Sequence, residues 1–184
     1  IANCSLVGGE TAEHPGSFPD NSFDLAGFSL GVVDEEEIIG TDGPKNGDVL
    51  IGVSSSGFHS NGFSLIRKVL ENYKISLDNK VEGESLGTIL LKPTNIYVQE
   101  VLNLNKFLKI SSIAHITGGG FFENIPRMLN KNQKVDIAFN FKDWPAYKHF
   151  KWIQDIAKIS EENMLKTFNC GIGLIIAVSP ENEE

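Results

Sequence analysis

The chain has 184 residues, of which 41% are hydrophobic and 22% are charged, and both fractions are ordinary for a globular protein. A chain of this length can bury a core without metal or disulfide staples, and two cysteines are too few for a disulfide framework. The formal net charge of −8 opposes a phosphate backbone, which argues against nucleic acid as a partner.

The N-terminus and the longest apolar runs indicate where in the cell the protein is expected. The N-terminus lacks the basic flank and apolar run of a signal peptide, and no apolar run approaches the roughly 20 residues that span a bilayer. We therefore expect a cytoplasmic protein in a reducing compartment, with no membrane partner. The chain begins with Ile1 and stops at Glu184 soon after a strand-like run, and we expect both ends to lie within a longer protein.

The first part of the chain contains one predicted strand and one predicted linker. Residues 23–34, FDLAGFSLGVVD, are rich in Phe, Leu and Val, which favours a buried strand. Residues 40–48, GTDGPKNGD, are dense in Gly, Pro, Asn and Asp, which is typical of a linker. We place a domain boundary near this linker.

Strands and helices alternate after the linker. Apolar patterns predict strands over residues 49–55, 111–116, 135–139 and 171–179, and helices over residues 60–73, 93–104, 121–129, 144–158 and 160–167. Ser60 and Ser160 are predicted N-caps, and Pro93 is a predicted first helical residue. Residues 75–92 show no clean period. The order predicts an α/β or α+β domain around one sheet.

Three glycine- or serine-rich turns stand out: VGGET at 7–11, VSSSGFHSNG at 53–62 and HITGGG at 115–120. Each follows an apolar run, as a turn between a strand and a helix does. Such a turn exposes N–H groups at a helix N-terminus, where the helix dipole favours an anion such as phosphate. The alternative is that the glycines only allow tight turns.

Two residues in these turns have side chains that could carry chemistry. Glu10 follows two glycines and could coordinate Mg²⁺, or it could cap a helix or pair with a surface cation. His59 could bind phosphate or move a proton, or it could be a turn histidine bonded to the backbone. His115, at the end of a predicted strand, is expected to be a satisfied core histidine.

Polar residues after the glycine triplet give a further candidate. Asn124 lies one turn beyond the glycines and could contact a ligand, whereas Glu123 and Arg127 have the i, i+4 spacing of a surface ion pair. Cys170 has no histidine or cysteine at useful spacing, which argues against nucleophilic catalysis.

Several strings are more specific than these physical arguments. They include GGETAEHPG at 8–16, SSGFHSNGFSLIRK at 55–68 and HITGGGFFENIPR at 115–127. Over nearly its whole length, in order and with natural spacing, the chain resembles the aminoimidazole ribonucleotide synthetase family. His14 stands where many members are expected to have Met, which we regard as a minor departure.

The resemblance implies a homodimeric, two-domain enzyme of purine biosynthesis. Residues 1–39 match the end of an N-terminal ATP-binding domain, and residues 40–184 match most of a C-terminal domain with a mixed sheet and flanking helices. The implied reaction converts formylglycinamidine ribonucleotide to aminoimidazole ribonucleotide with ATP and Mg²⁺. Since the family's nucleotide loop has no match in residues 1–184, we expect this chain to be inactive alone.

The resemblance also implies site roles. His59 and Asn61 are the predicted catalytic residues, and Glu10 is the predicted metal ligand. The predicted nucleotide contacts are Gly8, Gly9 and Thr11, and the predicted substrate or phosphate contacts are Ser56, Ser60, Thr117, Gly118, Gly119, Gly120, Asn124 and Arg127.

Two other kinds of function are open. One is another member of the same ATP-using superfamily, such as formylglycinamidine ribonucleotide synthetase, selenophosphate synthetase or thiamine monophosphate kinase. The other is a non-catalytic binding module that has kept the fold. The GGETAE and ENIPR strings favour the aminoimidazole ribonucleotide synthetase family over the first of these.

Overall fold

The computed structural model describes residues 2–137, 140 and 143–182 of the chain. The strands are β1 (Val49–Ser54), β2 (Lys80–Val81), β3 (Glu84–Ser85), β4 (Ile110–His115) and β5 (Ile172–Val178). The helices are α1 (Phe63–Asn72), α2 (Leu86–Leu90), α3 (Val98–Leu104), α4 (Gly120–Met128), α5 (Tyr147–Ala157) and α6 (Glu161–Thr167).

The main sheet has the order β1–β5–β4, so the last strand in the sequence lies in the middle. Both of its strand pairs are antiparallel, with Ile176 opposite Ile51 on one side and Ile113 on the other. The α+β class is confirmed, but the expected mixed sheet is not what the described residues form. Because both outer strands run against β5, they run in the same direction and end at the same edge of the sheet.

Both faces of β5 are covered, and all seven of its residues are buried. Ile172, Ile175 and Ala177 belong to a core that includes apolar residues of α1, α4, α5 and α6. Residues of the opposite face, among them Ile176, pack with Val101 and other apolar residues of α3 and its surroundings. Burial on two sides explains why β5 reads as an unbroken apolar run rather than an alternating one.

Most elements after the linker agree with the prediction. The predicted Ser160 cap is confirmed, since its Oγ accepts the Asn163 N–H at 3.3 Å. The predicted Ser60 cap is wrong, because α1 begins only at Phe63, after Gly62. The predicted helix start at Pro93 is also wrong, because α3 begins at Val98.

The predicted strand over residues 23–34 is absent, and these residues form an exposed segment without regular strand structure. Phe28 and Val32 are almost fully exposed. A strand requires a partner for its N–H and C=O groups, and no described strand lies beside this segment. Of the predicted strand over 135–139, residues 135–137 are irregular and residues 138 and 139 lie outside the described residues.

The hairpin of β2 and β3 and the short helix α2 fall in residues 75–92, where no element was predicted. Glu82 and Gly83 form the two-residue turn of the hairpin, with φ of 52° and 87°. Turns of this kind prefer Asn-Gly or Asp-Gly, so Glu-Gly gives a weak signal.

The predicted linker is held against the domain by amide side chains. Asn130 Nδ2 donates to the carbonyl oxygens of Asp42 and Pro44 at 3.0 and 3.2 Å. Gln133 Nε2 donates to the Pro44 oxygen at 2.7 Å. The dense turn residues therefore form a fixed connection at this point, rather than a free one.

Candidate functional site

The edge of the sheet where β1 and β4 end brings together two of the predicted turns. The serine bend (residues 55–62) follows β1, and the glycine bend (residues 117–120) follows β4. A Cβ placed on Gly118 would lie 3.6 Å from Asn61 Oδ1, so the two bends are neighbours. The antiparallel insertion of β5 between the outer strands is what places both bends at one edge.

Each bend leads into a helix through a glycine in the left-handed region. Gly62 precedes α1 with φ of 78°, and Gly119 precedes α4 with φ of 86°. Neither residue has a side chain to cap its helix. Two uncapped helix N-termini at one sheet edge favour an anion there, because the helix dipole places partial positive charge at that end.

Close packing leaves no room for a side chain at Gly62 or at Gly120, the first residue of α4. A Cβ on Gly62 would overlap the ring of Phe168, and one on Gly120 would overlap the carbonyl oxygen of Leu165 in α6. The glycines therefore set the approach of α1 and α4 to the rest of the domain, in addition to forming the turns.

The side chain of Asn169, which is 1% exposed, holds the serine bend in place through hydrogen bonds. Asn169 Nδ2 donates to the Gly57 oxygen at 2.9 Å, and its Oδ1 accepts the Gly171 N–H at 2.9 Å. Ser55 Oγ lies 3.0 Å from both the Gly57 oxygen and Asn169 Oδ1. The buried polar groups of this corner thus satisfy one another.

Asn124, which is 4% exposed, fastens the glycine bend in the same way. Its Nδ2 lies 3.4, 3.2 and 2.7 Å from the carbonyl oxygens of Thr117, Gly118 and Gly120. Its Oδ1 is 3.4 Å from a guanidinium nitrogen of Arg127, whose side chain is largely exposed. The amide of Asn124 thus binds the protein's own backbone.

His59 is buried in the serine bend and bonded to backbone. Its Nε2 is 3.2 Å from the Ser56 nitrogen and 3.5 Å from the Asn95 nitrogen, and both N–H groups donate to it. Burial, with a smaller contribution from the nearby His115, lowers the pKa of His59 to about 4. The ring is therefore neutral at pH 7 and cannot attract phosphate as a cation. Its buried Nδ1 has no hydrogen-bond partner among the described residues.

The comparisons with known proteins agree with this architecture. Residues 45–184 match the family model described as AIR synthase related protein, C-terminal domain. A phosphoribosylformylglycinamidine cyclo-ligase of Acetivibrio thermocellus is 47% identical over 182 residues, covering 98% of this chain and 53% of that protein. The one of Paraburkholderia phymatum is 45% identical over 181 residues, covering 97% of this chain and 50% of that protein.

The chain belongs to the AIR synthase related protein family. It spans about half the length of these relatives, and its matched region is the family's C-terminal domain. Among the described residues of this AIR synthase related chain, no helix is both long and apolar enough to cross a membrane.

Sequence reasoning missed the segment that covers the serine bend. Ser56 Oγ donates to the Pro93 oxygen at 2.6 Å, and Ser60 Oγ lies 3.4 Å from Thr94 Oγ1. Tyr97 OH donates to the Ser54 oxygen at 2.9 Å. The polar run Thr94–Asn95 directly after Pro93 was the signal, because polar residues there suit a loop better than a helix start.

Tyr97 also connects the two histidines of the AIR synthase related domain. Its ring centroid is 6.3 Å from that of His59 and 6.1 Å from that of His115. His115 is exposed at the end of β4, so the expectation of a core histidine is wrong. Partial desolvation still lowers the pKa of His115 below its ordinary value.

The third predicted turn is not joined to the other two. Residues 8–11 are exposed, and a Cβ on Gly8 or Gly9 would meet nothing within 4 Å. Among the described residues, no cluster of three His, Cys, Asp or Glu side chains could hold a metal ion. Glu10 is therefore not part of such a cluster within the described chain, and its role as a metal ligand stays a prediction.

A cavity of about 570 Å³ lies elsewhere, between the 44–48 loop and one face of the sheet. Leu50 and Gly52 of β1, Ile175 of β5 and Trp144 are among its lining residues. None of the predicted site residues lines it, so the sheet edge, and not this cavity, is the candidate site.

Proposed function

We propose that this chain is the C-terminal half of a phosphoribosylformylglycinamidine cyclo-ligase, which uses ATP to convert formylglycinamidine ribonucleotide to aminoimidazole ribonucleotide. The observation that carries the proposal is the meeting of two uncapped helix N-termini at one sheet edge, where a Cβ placed on Gly118 would lie 3.6 Å from Asn61 Oδ1. The name shared by two relatives that align with almost the whole chain supports it.

The proposed chemistry needs phosphate binding more than it needs a nucleophile. An amide oxygen is a poor leaving group, and transfer of a phosphoryl group from ATP makes it a good one. The neighbouring amine nitrogen then attacks the same carbon, the five-membered ring closes, and phosphate and a proton leave. Catalysis of such a reaction depends on positioning and on charge stabilisation, which fixed N–H groups provide.

The two bends supply this chain's part of the proposed mechanism. The N–H groups of Gly118 and Gly119 in the glycine bend and of Phe58 in the serine bend have no partner within the described part of the chain. They would bind the phosphate of the substrate or the phosphoryl group in transfer. Thr117, Ser56, Ser60 and Asn61 would contribute side-chain contacts at the same edge.

The hydrogen bonds of the His59 ring limit the roles that it could have in catalysis. Its Nε2 accepts two backbone N–H groups, so a neutral ring would carry its proton on Nδ1. In this geometry His59 would hold the serine bend together and could offer only the Nδ1–H to a ligand. A role as proton acceptor would require one of the backbone bonds to open.

Other parts of the proposal concern the whole protein. ATP and Mg²⁺ would bind with the help of residues beyond the described ones, with Gly8, Gly9, Glu10 and Thr11 on the nucleotide side. The proposed enzyme is a cytoplasmic homodimer in purine biosynthesis. Residues 1–39 would belong to its N-terminal ATP-binding domain, and residues 40–184 to its C-terminal domain. We expect the 184-residue chain alone not to turn over.

The test is an assay of the complete gene product with ATP and formylglycinamidine ribonucleotide. We expect aminoimidazole ribonucleotide, ADP and phosphate in equal amounts. The Asn61→Ala variant should reduce kcat/KM by about tenfold or more, because Asn61 stands where the bends meet. Asn163→Ala, on the exposed side of α6, is the matched control and should be unchanged. Ligand binding without ring closure would favour a non-catalytic module instead.

A further inference from the structure

Two buried asparagines repeat one arrangement at the two bends. Asn169 donates to the carbonyl oxygen of Gly57, and Asn124 donates to the carbonyl oxygens of Thr117 and Gly118. Each asparagine lies on the protein side of its bend and is at least 96% buried. The two residues come from different elements, since Asn169 precedes β5 and Asn124 lies within α4.

Because the peptide bond is planar, the direction of each carbonyl group fixes the direction of the next N–H group. In a trans peptide the C=O and the N–H of the next residue point in opposite directions. When Asn169 draws the Gly57 oxygen inward, the Phe58 N–H must point away from the core. When Asn124 draws in the Thr117 and Gly118 oxygens, the N–H groups of Gly118 and Gly119 must point away as well.

These N–H groups are among those of the two bends that have no partner within the described chain. Within the described chain, no acceptor is bonded to the N–H of Phe58, Gly118 or Gly119, although the side chain of Phe58 is almost fully buried. Phe58 is a buried residue, where an unpaired backbone donor is uncommon and indicates a place for a ligand or water, whereas Gly118 is exposed. The buried His59 Nδ1, also unpartnered among the described residues, adds a fourth such polar atom at this edge.

We propose that Asn169 and Asn124 are paired positioning residues, which turn the peptide groups of the two bends so that their N–H groups face a bound phosphate. This inference rests on the proposed function and refines it, because Asn124 acts through the backbone and not as a ligand contact. Neither Asn169 nor Ser55 is among the site residues predicted from the sequence.

The test uses isosteric changes that replace the amide donor by a carboxylate oxygen and add one negative charge, which the control variant also adds. Asn169→Asp keeps the acceptor for Ser55 and Gly171 but puts a second oxygen opposite the Gly57 carbonyl, and Asn124→Asp does the same at the glycine bend. Asn163→Asp is the matched control, since Asn163 is exposed on α6. The ¹⁵N-labelled 184-residue chain and each variant are titrated with inorganic phosphate while individual amide signals are followed by NMR.

We expect each variant to weaken the phosphate response of its own bend and to leave the amides of the other bend responsive. In the unmodified chain and in Asn163→Asp, the amides of Phe58, Gly118 and Gly119 shift saturably with phosphate. In Asn169→Asp the Phe58 shift falls by more than half, while Gly118 and Gly119 still respond. In Asn124→Asp the pattern reverses. Each of the two variants weakens phosphate binding at least fivefold.

The outcomes separate this inference from the function it rests on. No phosphate response in the unmodified chain would remove the anion site itself. A normal response with unchanged or equally reduced shifts in both folded variants would overturn the positioning role alone. If the aspartate variants do not fold, Ser55→Ala decides, since it removes one of the two donors to the Gly57 oxygen without adding charge. An unchanged Phe58 response in that variant would also overturn the inference.

Discussion

The ring of His59 makes the stability of the domain depend on pH. Burial lowers its pKa from the ordinary value of 6.5 to about 4. Between these values the unfolded chain binds a proton that the folded chain does not, so stability falls as the pH falls from about 7 towards 4. The shift corresponds to a loss of about 3 kcal/mol at the acid end.

The variant His59→Asn tests this pH dependence. Asn tolerates the left-handed backbone at this position, where φ is 55°, and it does not titrate. Urea unfolding at several pH values should give a smaller loss of stability at acid pH in the variant than in the unmodified chain. Since the pKa values of His115 and His149 are also lowered, part of the pH dependence should remain. Parallel curves for the two proteins would contradict the prediction.

Single residues of the site were only partly predictable. Gly118 and Gly119 could be singled out because a glycine-rich turn before a helix is a local signal, and Asn61 because the family resemblance implies it. Asn169 and Tyr97 could not, because their partners, Gly57 and Ser54, are 112 and 43 residues away in sequence. A buried asparagine reveals its role only when the fold shows which carbonyl groups it meets.

Among the helices, the contact of α4 with α6 depends on Gly120. A Cβ there would meet the Leu165 carbonyl, which cannot move without shifting α6, and φ at Gly120 is 56°. We expect Gly120→Ala to lower the free energy of unfolding by about 2–4 kcal/mol, from overpacking and backbone strain together. Denaturant unfolding measures this loss.

Gly83→Ala is the control for the strain alone. Gly83 has φ of 87°, but a Cβ there would meet nothing within 4 Å. Its replacement should cost roughly 1 kcal/mol, the penalty for a side chain in the left-handed region. Equal losses in the two variants would show that the contact with α6 adds nothing.

At the level of elements, prediction succeeded where the apolar pattern was strong. β1, β4, β5 and α1 each have a clear run or period. The hairpin of β2 and β3 was missed because it is short and its turn has an unusual sequence. The segment 23–34 was predicted as a strand from composition alone, but a strand also needs a neighbour, which no apolar run can indicate.

Across the whole molecule, the exposed residues before the linker should be the first to be cut by a protease. Phe23, Leu25, Phe28 and Leu30 are all more than 80% exposed, and residues 23–34 make no backbone hydrogen bond to another described segment. Brief digestion with chymotrypsin should cleave within residues 18–30 at least tenfold faster than after Phe58 or Phe168, which are buried.

Mass spectrometry of the digest would identify the products. A stable product that begins between about residues 19 and 31 is expected, because the linker is held by Asn130 and Gln133. Early cuts within β1, α1 or β5 would contradict this, as they would place the weakest part of the chain inside the sheet and its helices.

The shared edge of the two bends does not follow from any local pattern in the sequence. Local patterns gave the strands and turns, but not the insertion of β5 between β1 and β4. Only that order makes the two outer strands point the same way. The candidate site is thus a product of topology, while its glycines are a product of local backbone requirements.

The central place of β5 has a consequence for synthesis on the ribosome. Translation delivers β1 and β4 long before the strand that must separate them, so neither has its ladder partner while the chain is still emerging. A nascent chain that stalls before Ile172 would carry two unpaired apolar strands, which are prone to aggregate and to recruit chaperones. Closure of the sheet, and with it the ordering of the edge, awaits the arrival of the last strand.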